Sequence, residues 1–225
     1  MKKAIVLLSG GLDSAVTLYF AKKQGFICRC LIFDYGQRHK REIESAKRIA
    51  KAAGCQYRIL NIRLPWRGSS LLDKKALITQ QAGCRAVKRT NIPLTYVPGR
   101  NIIFLSFALS FAETVGAKGI FIGAHSQDYS GYPDCRREFF RAFNRVINTG
   151  TRSGVKGDGI KISTPLVNKK KSEIIRLGMR LKVPFELTWS CYRGGRQPCG
   201  RCDSCYFRAR GFAELGIPDP LLDTD

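Results

Sequence analysis

Ala4-Ile5-Val6-Leu7-Leu8-Ser9-Gly10-Gly11-Leu12-Asp13-Ser14-Ala15-Val16 is the stretch on which the reading of the whole chain turns. The apolar run Ala4 to Leu8 is long enough for a buried parallel strand. Two glycines then permit a tight turn, and Ser14, Ala15, Val16, Leu18 and Phe20 carry helical spacing toward Lys23. The first turn of a helix leaves backbone N–H groups unpaired and carries about half a positive charge. A loop entering that turn is therefore an anion site, with Ser9 and Ser14 as hydroxyl donors and Asp13 as a carboxylate able to help hold Mg2+.

A Walker A loop would end in Gly-Lys-Ser or Gly-Lys-Thr, and this one does not. Ser-Gly-Gly-Leu-Asp-Ser resembles instead the pyrophosphate-binding loop of the PP-loop ATP pyrophosphatases, enzymes that split ATP between its α and β phosphates. That resemblance implies ATP binding by Leu8, Ser9, Gly10, Gly11, Leu12, Asp13, Ser14, Ala15, Val16, Thr17 and Leu18. It implies a reaction type without naming the acid that is activated.

With 225 residues and 44% hydrophobic content the chain can enclose one sizeable core, so residues 1–225 are expected to form a single domain. No run of about eighteen apolar residues and no signal-peptide pattern is present, so no membrane association and a cytoplasmic location are expected. An odd set of nine cysteines in such a chain points to thiol or metal chemistry rather than to disulfides. Lys and Arg number 39 against 17 acids, a net +22. That charge attracts nucleic acid, an acidic protein partner or anionic small molecules, and a solvated surface explains it equally well.

Further strands are expected at Cys28 to Phe33, Tyr57 to Leu64, Gly119 to Gly123 and Ile160 to Ser163. Between them fall an amphipathic helix over residues 40–53, a helix from Ile102 to Val115 whose near all-round hydrophobicity predicts burial, and a basic helix from Glu138 to Asn148. Gly150 to Gly159 reads as a loop, Ser172 to Leu181 as a helix, and residues 65–98, with Cys84 and Lys88-Arg89, as a weakly patterned lid or binding loop. Strand and helix alternate throughout. The expected fold is α/β, a doubly wound, Rossmann-like five-stranded parallel sheet with ATP at its switch point.

Cys191, Cys199, Cys202 and Cys205 crowd the last part of the chain, as Cys-Gly-Arg-Cys and Cys-Asp-Ser-Cys overlapping through Cys202. Pairs of thiols two residues apart can face one centre, and four thiolates complete a tetrahedron around Zn2+. An iron–sulfur cluster and unliganded thiols are the competing readings. A closed set of four sulfurs is structural rather than catalytic, so residues 187–225 are expected to form a zinc-stapled segment. Cys28, Cys30, Cys55, Cys84 and Cys135 are expected to pack or lie idle.

Several stretches together resemble the 7-cyano-7-deazaguanine synthase family. They are SGGLDSAV at the start, FDYGQRH at 33–39, VPGRN at 97–101, DYSGYPDCR at 128–136, TPL followed by Lys171 and Glu173, and LTWSCY with PCGRCDSC at 187–205. The likeness runs end to end. It implies a PP-loop ligase of queuosine biosynthesis that takes 7-carboxy-7-deazaguanine, ammonia and ATP to the 7-cyano base through adenylated carboxylate and amide intermediates. Carried over residue by residue, it implies catalytic roles for Asp13, Ser14 and Lys171. It also implies a deazaguanine pocket made by Arg100, Asn101, Asp128, Tyr129, Tyr132, Asp134 and Arg136. The bland alternatives are helix capping for Arg100 and Asn101 and a solvated charge run for Lys169, Lys170 and Lys171. His39 and His125 read as loop or core histidines.

Other readings stay open on the sequence alone. A related enzyme of an antiviral defence system would pass the same activated acid to a protein amine, and an acidic partner would then account for the charge. A PP-loop enzyme acting on tRNA and a non-catalytic zinc module that binds nucleic acid are the remaining two. A homodimer is compatible with the size and with the apolar Leu221-Leu222.

Overall fold

A computed structural model describes residues 1–65, 69–73, 92–125 and 132–222. Its first strand, β1 (Lys3–Leu7), is buried from Ala4 onward. β2 (Ile27–Asp34) and β3 (Gln56–Asn61) lie to one side of it, and β4 (Gly119–Ile122) and β5 (Lys161–Ser163) to the other. The sheet order is β3-β2-β1-β4-β5 with every pairing parallel. The direction of winding reverses between β1 and β4, which places a crevice beyond the carboxyl ends of those two strands.

Side chains alternate along a strand, so β1 feeds two cores at once. Ala4 and Val6, with Leu8 just beyond, meet α1 (Leu12–Lys23), α2 (Arg41–Ala52) and α6 (Lys171–Arg180) through Val16, Leu18, Ile43, Ile49 and Ile174. Ile5 and Leu7 meet α3 (Arg100–Val115) and α4 (Arg137–Gly150) through Leu105, Ala108, Phe140 and Ile147. The α/β sandwich expected from the alternating pattern is the one observed.

Several expectations change. α3 buries Asn101, Leu105, Ala108 and Ala112 along one stripe only, while Ile102 and Phe107 are 48% and 42% exposed. As an outer layer on a sheet, a helix has one inward face, whatever the hydrophobicity of the other. The stretch 150–159 contains a short helix, α5 (Arg152–Val155), because the Thr151 side chain caps it by accepting from the Gly154 N–H at 2.9 Å. β3 ends at Asn61, short of Leu64. The cysteine-rich segment ends in a helix, α7 (Asp203–Ala213), whose Phe212 joins the α1/α6 core. Of the stretch 65–98, Gly68, Cys84 and Lys88-Arg89 lie outside the described residues.

Candidate functional site

The Ser9–Ser14 loop leaves β1 through Gly10, whose φ of +88° lies in the left-handed region. A Cβ there would stand 2.1 Å from the Glu42 carbonyl oxygen, so only glycine lets the turn pass over the start of α2. The hydroxyls stitch the turn together. Ser14 Oγ donates to the Gly11 carbonyl at 2.9 Å, and accepts from the Ser9 N–H at 3.2 Å. Gly123, just past β4, is needed for a second close approach, since a Cβ would lie 2.9 Å from the Asp13 carbonyl. The loop is thereby seated at the switch point, at the mouth of a cavity of about 310 Å³.

Opposite the loop, α6 begins with Lys171. Its Nζ donates to Asp13 Oδ1 and Oδ2 at 2.8 and 2.9 Å and to His125 Nε2 at 3.1 Å. Burial alone would raise the Asp13 carboxyl, but Lys171 and His125 outweigh it and hold the group well below the usual carboxylate range. Of the three consecutive lysines, Lys171 is the one that lines the cavity. Both Asp13 oxygens are engaged by the Lys171 ammonium, so the donor set does not fit a magnesium ion resting on Asp13.

The far wall comes from α3 and the segment before α4. Gly99, at φ +63°, turns the chain so that Arg100 faces the cavity and donates to the Tyr35 hydroxyl at 3.4 Å. Tyr132 lines the same wall and shares a 2.5 Å hydrogen bond with the Thr95 hydroxyl. Glu42, on the first turn of α2, also lines the cavity, and burial pushes its carboxyl up to about 7 against the pull of Arg100. Trp189 and Tyr192 close the side nearest the cysteines.

Not every residue singled out from the sequence reaches this cavity. Leu8, Ser9, Gly11, Leu12, Asp13, Ser14, Arg100, Asn101, Tyr132 and Lys171 line it. Ala15, Val16, Thr17 and Leu18 are enclosed in the core at 0% exposure and are out of a nucleotide's reach. Asp134 is buried and accepts from the Asn101 N–H at 3.1 Å, and Asn101 Nδ2 also donates to the Asp134 carbonyl at 3.1 Å. That pair fastens the start of α3 to the segment before α4, which leaves the Asp134 carboxylate capping a helix rather than facing a ligand. Arg136 is exposed and does not line the cavity. Asp128 and Tyr129 lie outside the described residues. His125, read from the sequence as a loop or core histidine, and Glu42 are the additions, and the signal for Glu42 was its place in the first turn of the helix that follows β2.

The Sγ atoms of Cys191, Cys199, Cys202 and Cys205 lie within 4.8 Å of one another, with Cys199 and Cys205 at 4.0 Å. Tetrahedral thiolates around zinc stand about 3.8 Å apart, so these residues fit a metal ion. Cys28, Cys30 and Cys135 are buried and Cys55 half-buried, and Cys84 lies outside the described residues. The cysteine segment is tied to the loop. Trp189 donates from its indole to the Cys191 carbonyl and from its backbone N–H to the Gly10 carbonyl, both at 2.9 Å. Arg208, 4% exposed, anchors the same segment by a bidentate pair with Asp219 and a 2.6 Å bond to Thr188. No helix among the described residues is long and apolar enough to cross a membrane.

A family model described as queuosine biosynthesis protein QueC matches residues 3–216. A 7-cyano-7-deazaguanine synthase of Nostoc sp. (strain PCC 7120) is 51% identical over 221 residues, covering 97% of this chain and 96% of the relative. One from Azotobacter vinelandii is 47% identical, covering 97% of each. The solved structure of a 4-thiouridine synthetase in complex with RNA and bound ATP superposes with a TM-score of 0.52 at 20% identity, covering 98% of this chain and 52% of that one. That last likeness is one of fold.

Proposed function

The chain belongs to the QueC family of queuosine biosynthesis proteins, and from that premise we propose that it is an ATP-dependent ligase converting 7-carboxy-7-deazaguanine and ammonia to 7-cyano-7-deazaguanine. The observation that carries the reading is that the Ser9–Ser14 loop, Lys171 and Arg100 open on one cavity. A carboxylate is a poor electrophile until one oxygen is made a leaving group. Attack of that oxygen on the α phosphorus of ATP releases diphosphate and gives an acyl adenylate. Ammonia displaces AMP to form the amide, and a second adenylation on the amide oxygen, followed by loss of AMP and protons, leaves the nitrile.

In this scheme the chain's part is positioning and charge. The unpaired N–H groups at the start of α1, with the hydroxyls of Ser9 and Ser14, receive the departing diphosphate. Lys171 adds a fixed positive charge, and Asp13 keeps that side chain extended toward the loop. Arg100 is placed to pair with an anionic substrate group. Magnesium accompanying the nucleotide would add further neutralisation of the triphosphate. The four cysteines would hold zinc as a structural staple, with no open coordination position.

Purified protein incubated with 7-carboxy-7-deazaguanine, ammonium and ATP should yield the nitrile, AMP and diphosphate by mass spectrometry. A protein-linked amide, or no consumption of the acid, would contradict this reading.

A further inference from the structure

A purine-like base with a 2-amino group presents two parallel N–H donors on one edge, which the two oxygens of a carboxylate match. Most carboxylates in or near the cavity are already engaged. Asp13 is held by Lys171, Asp134 caps α3, and Asp203 is buried and has partners of its own. Glu42 differs. It lines the cavity, and among the described residues no hydrogen bond or ion pair takes up its carboxylate. Arg100, Tyr35 and Tyr192 line the same cavity.

We propose that Glu42 is the acceptor for the donor edge of the substrate base, bonding the ring N–H and the exocyclic amine of the aminopyrimidinone ring. The inference rests on the reaction proposed above. Its surroundings exclude the other ligands of that reaction. Arg100 nearby disfavours a second cation such as ammonium, and the phosphates of ATP carry the same sign as Glu42 itself. A neutral edge of N–H donors meets neither objection, and Tyr35 and Tyr192 line the same cavity.

The test is equilibrium binding by calorimetry to the full-length protein without ATP, using 7-carboxy-7-deazaguanine and its counterpart lacking the 2-amino group. Wild type is expected to prefer the amino compound by about 10- to 100-fold, the scale of losing a hydrogen bond to a charged group. E42Q, with one acceptor oxygen replaced by a donor, should lose that preference, and E42D should regain part of it. An unchanged preference in E42Q overturns the proposal. So does an absence of preference in wild type, or an effect of E42Q confined to the KM for ATP or ammonia. Turnover is read separately. A preference that is lost in E42Q while wild type forms no nitrile would refute the reaction and uphold Glu42, whereas nitrile formation with preference intact in E42Q would do the reverse.

Discussion

Lys171 Nζ lies 2.8 and 2.9 Å from the two carboxylate oxygens of Asp13, a residue 158 positions away in the chain. Each stands in the first turn of its helix, Asp13 in α1 and Lys171 in α6. Their pairing turns two helix N-termini toward one cavity, where an anion meets the partial charges of both.

Replacing Lys171 by Met should therefore lower kcat by about 100- to 1,000-fold, the scale of losing one well-placed electrostatic group. K171R should not restore it, because a planar guanidinium cannot reproduce the compact ammonium between Asp13 and His125. Steady-state kinetics with circular dichroism as the folding control checks this.

The pair also sets an acid limit. Asp13 is held below its ordinary value of 3.8, so the folded state binds its proton later than the unfolded state does. Its contribution is then present above about pH 4 and is lost as the pH falls through the depressed native value. D13N should cost about 2 to 3 kcal/mol at pH 7, and the gap from wild type should shrink in strong acid. Urea unfolding of both proteins at pH 7, 5 and 3 measures it.

Gly10→Ala should be more damaging than a typical surface change. Its φ of +88° strains any other residue, and the new Cβ would meet the Glu42 carbonyl oxygen at 2.1 Å. A loss of more than about 2 kcal/mol is expected in denaturant unfolding. ATP binding should weaken with it, because the displaced turn carries the anion-binding N–H groups.

Metal removal should reach the nucleotide loop. The Trp189 N–H holds the Gly10 carbonyl, and the Trp189 indole holds the Cys191 carbonyl. Stripping the ion with a chelator, or C202S, should lower stability by about 3 kcal/mol, roughly 10 °C in Tm. The KM for ATP should rise in parallel. Elemental analysis should find one zinc per chain in the untreated protein.

The strand–loop–helix unit was legible because its signals are local: an apolar run, two glycines and a helical period within Ala4 to Lys23. The four-cysteine cluster was legible for the same reason. What escaped depends on contacts between distant residues. Ile102 and Phe107 looked like core because hydrophobicity does not say whether a layer covers it. Asp134 looked like a ligand group because the sequence does not show that the Asn101 N–H takes its carboxylate. Glu42 fell among the charges of an amphipathic helix, since the sequence does not show that the start of α2 packs against Gly10 of the loop. Lys171 could not be told from Lys169 and Lys170 until α6 began at that residue.

The most direct test of the central claim, that a carboxylate oxygen attacks the α phosphorus while the Ser9–Ser14 loop receives diphosphate, follows the fate of that oxygen. 7-Carboxy-7-deazaguanine labelled with 18O in both carboxylate positions should deliver one label to each of two AMP molecules per nitrile formed. Label recovered in inorganic phosphate, or ADP in place of AMP, would contradict it.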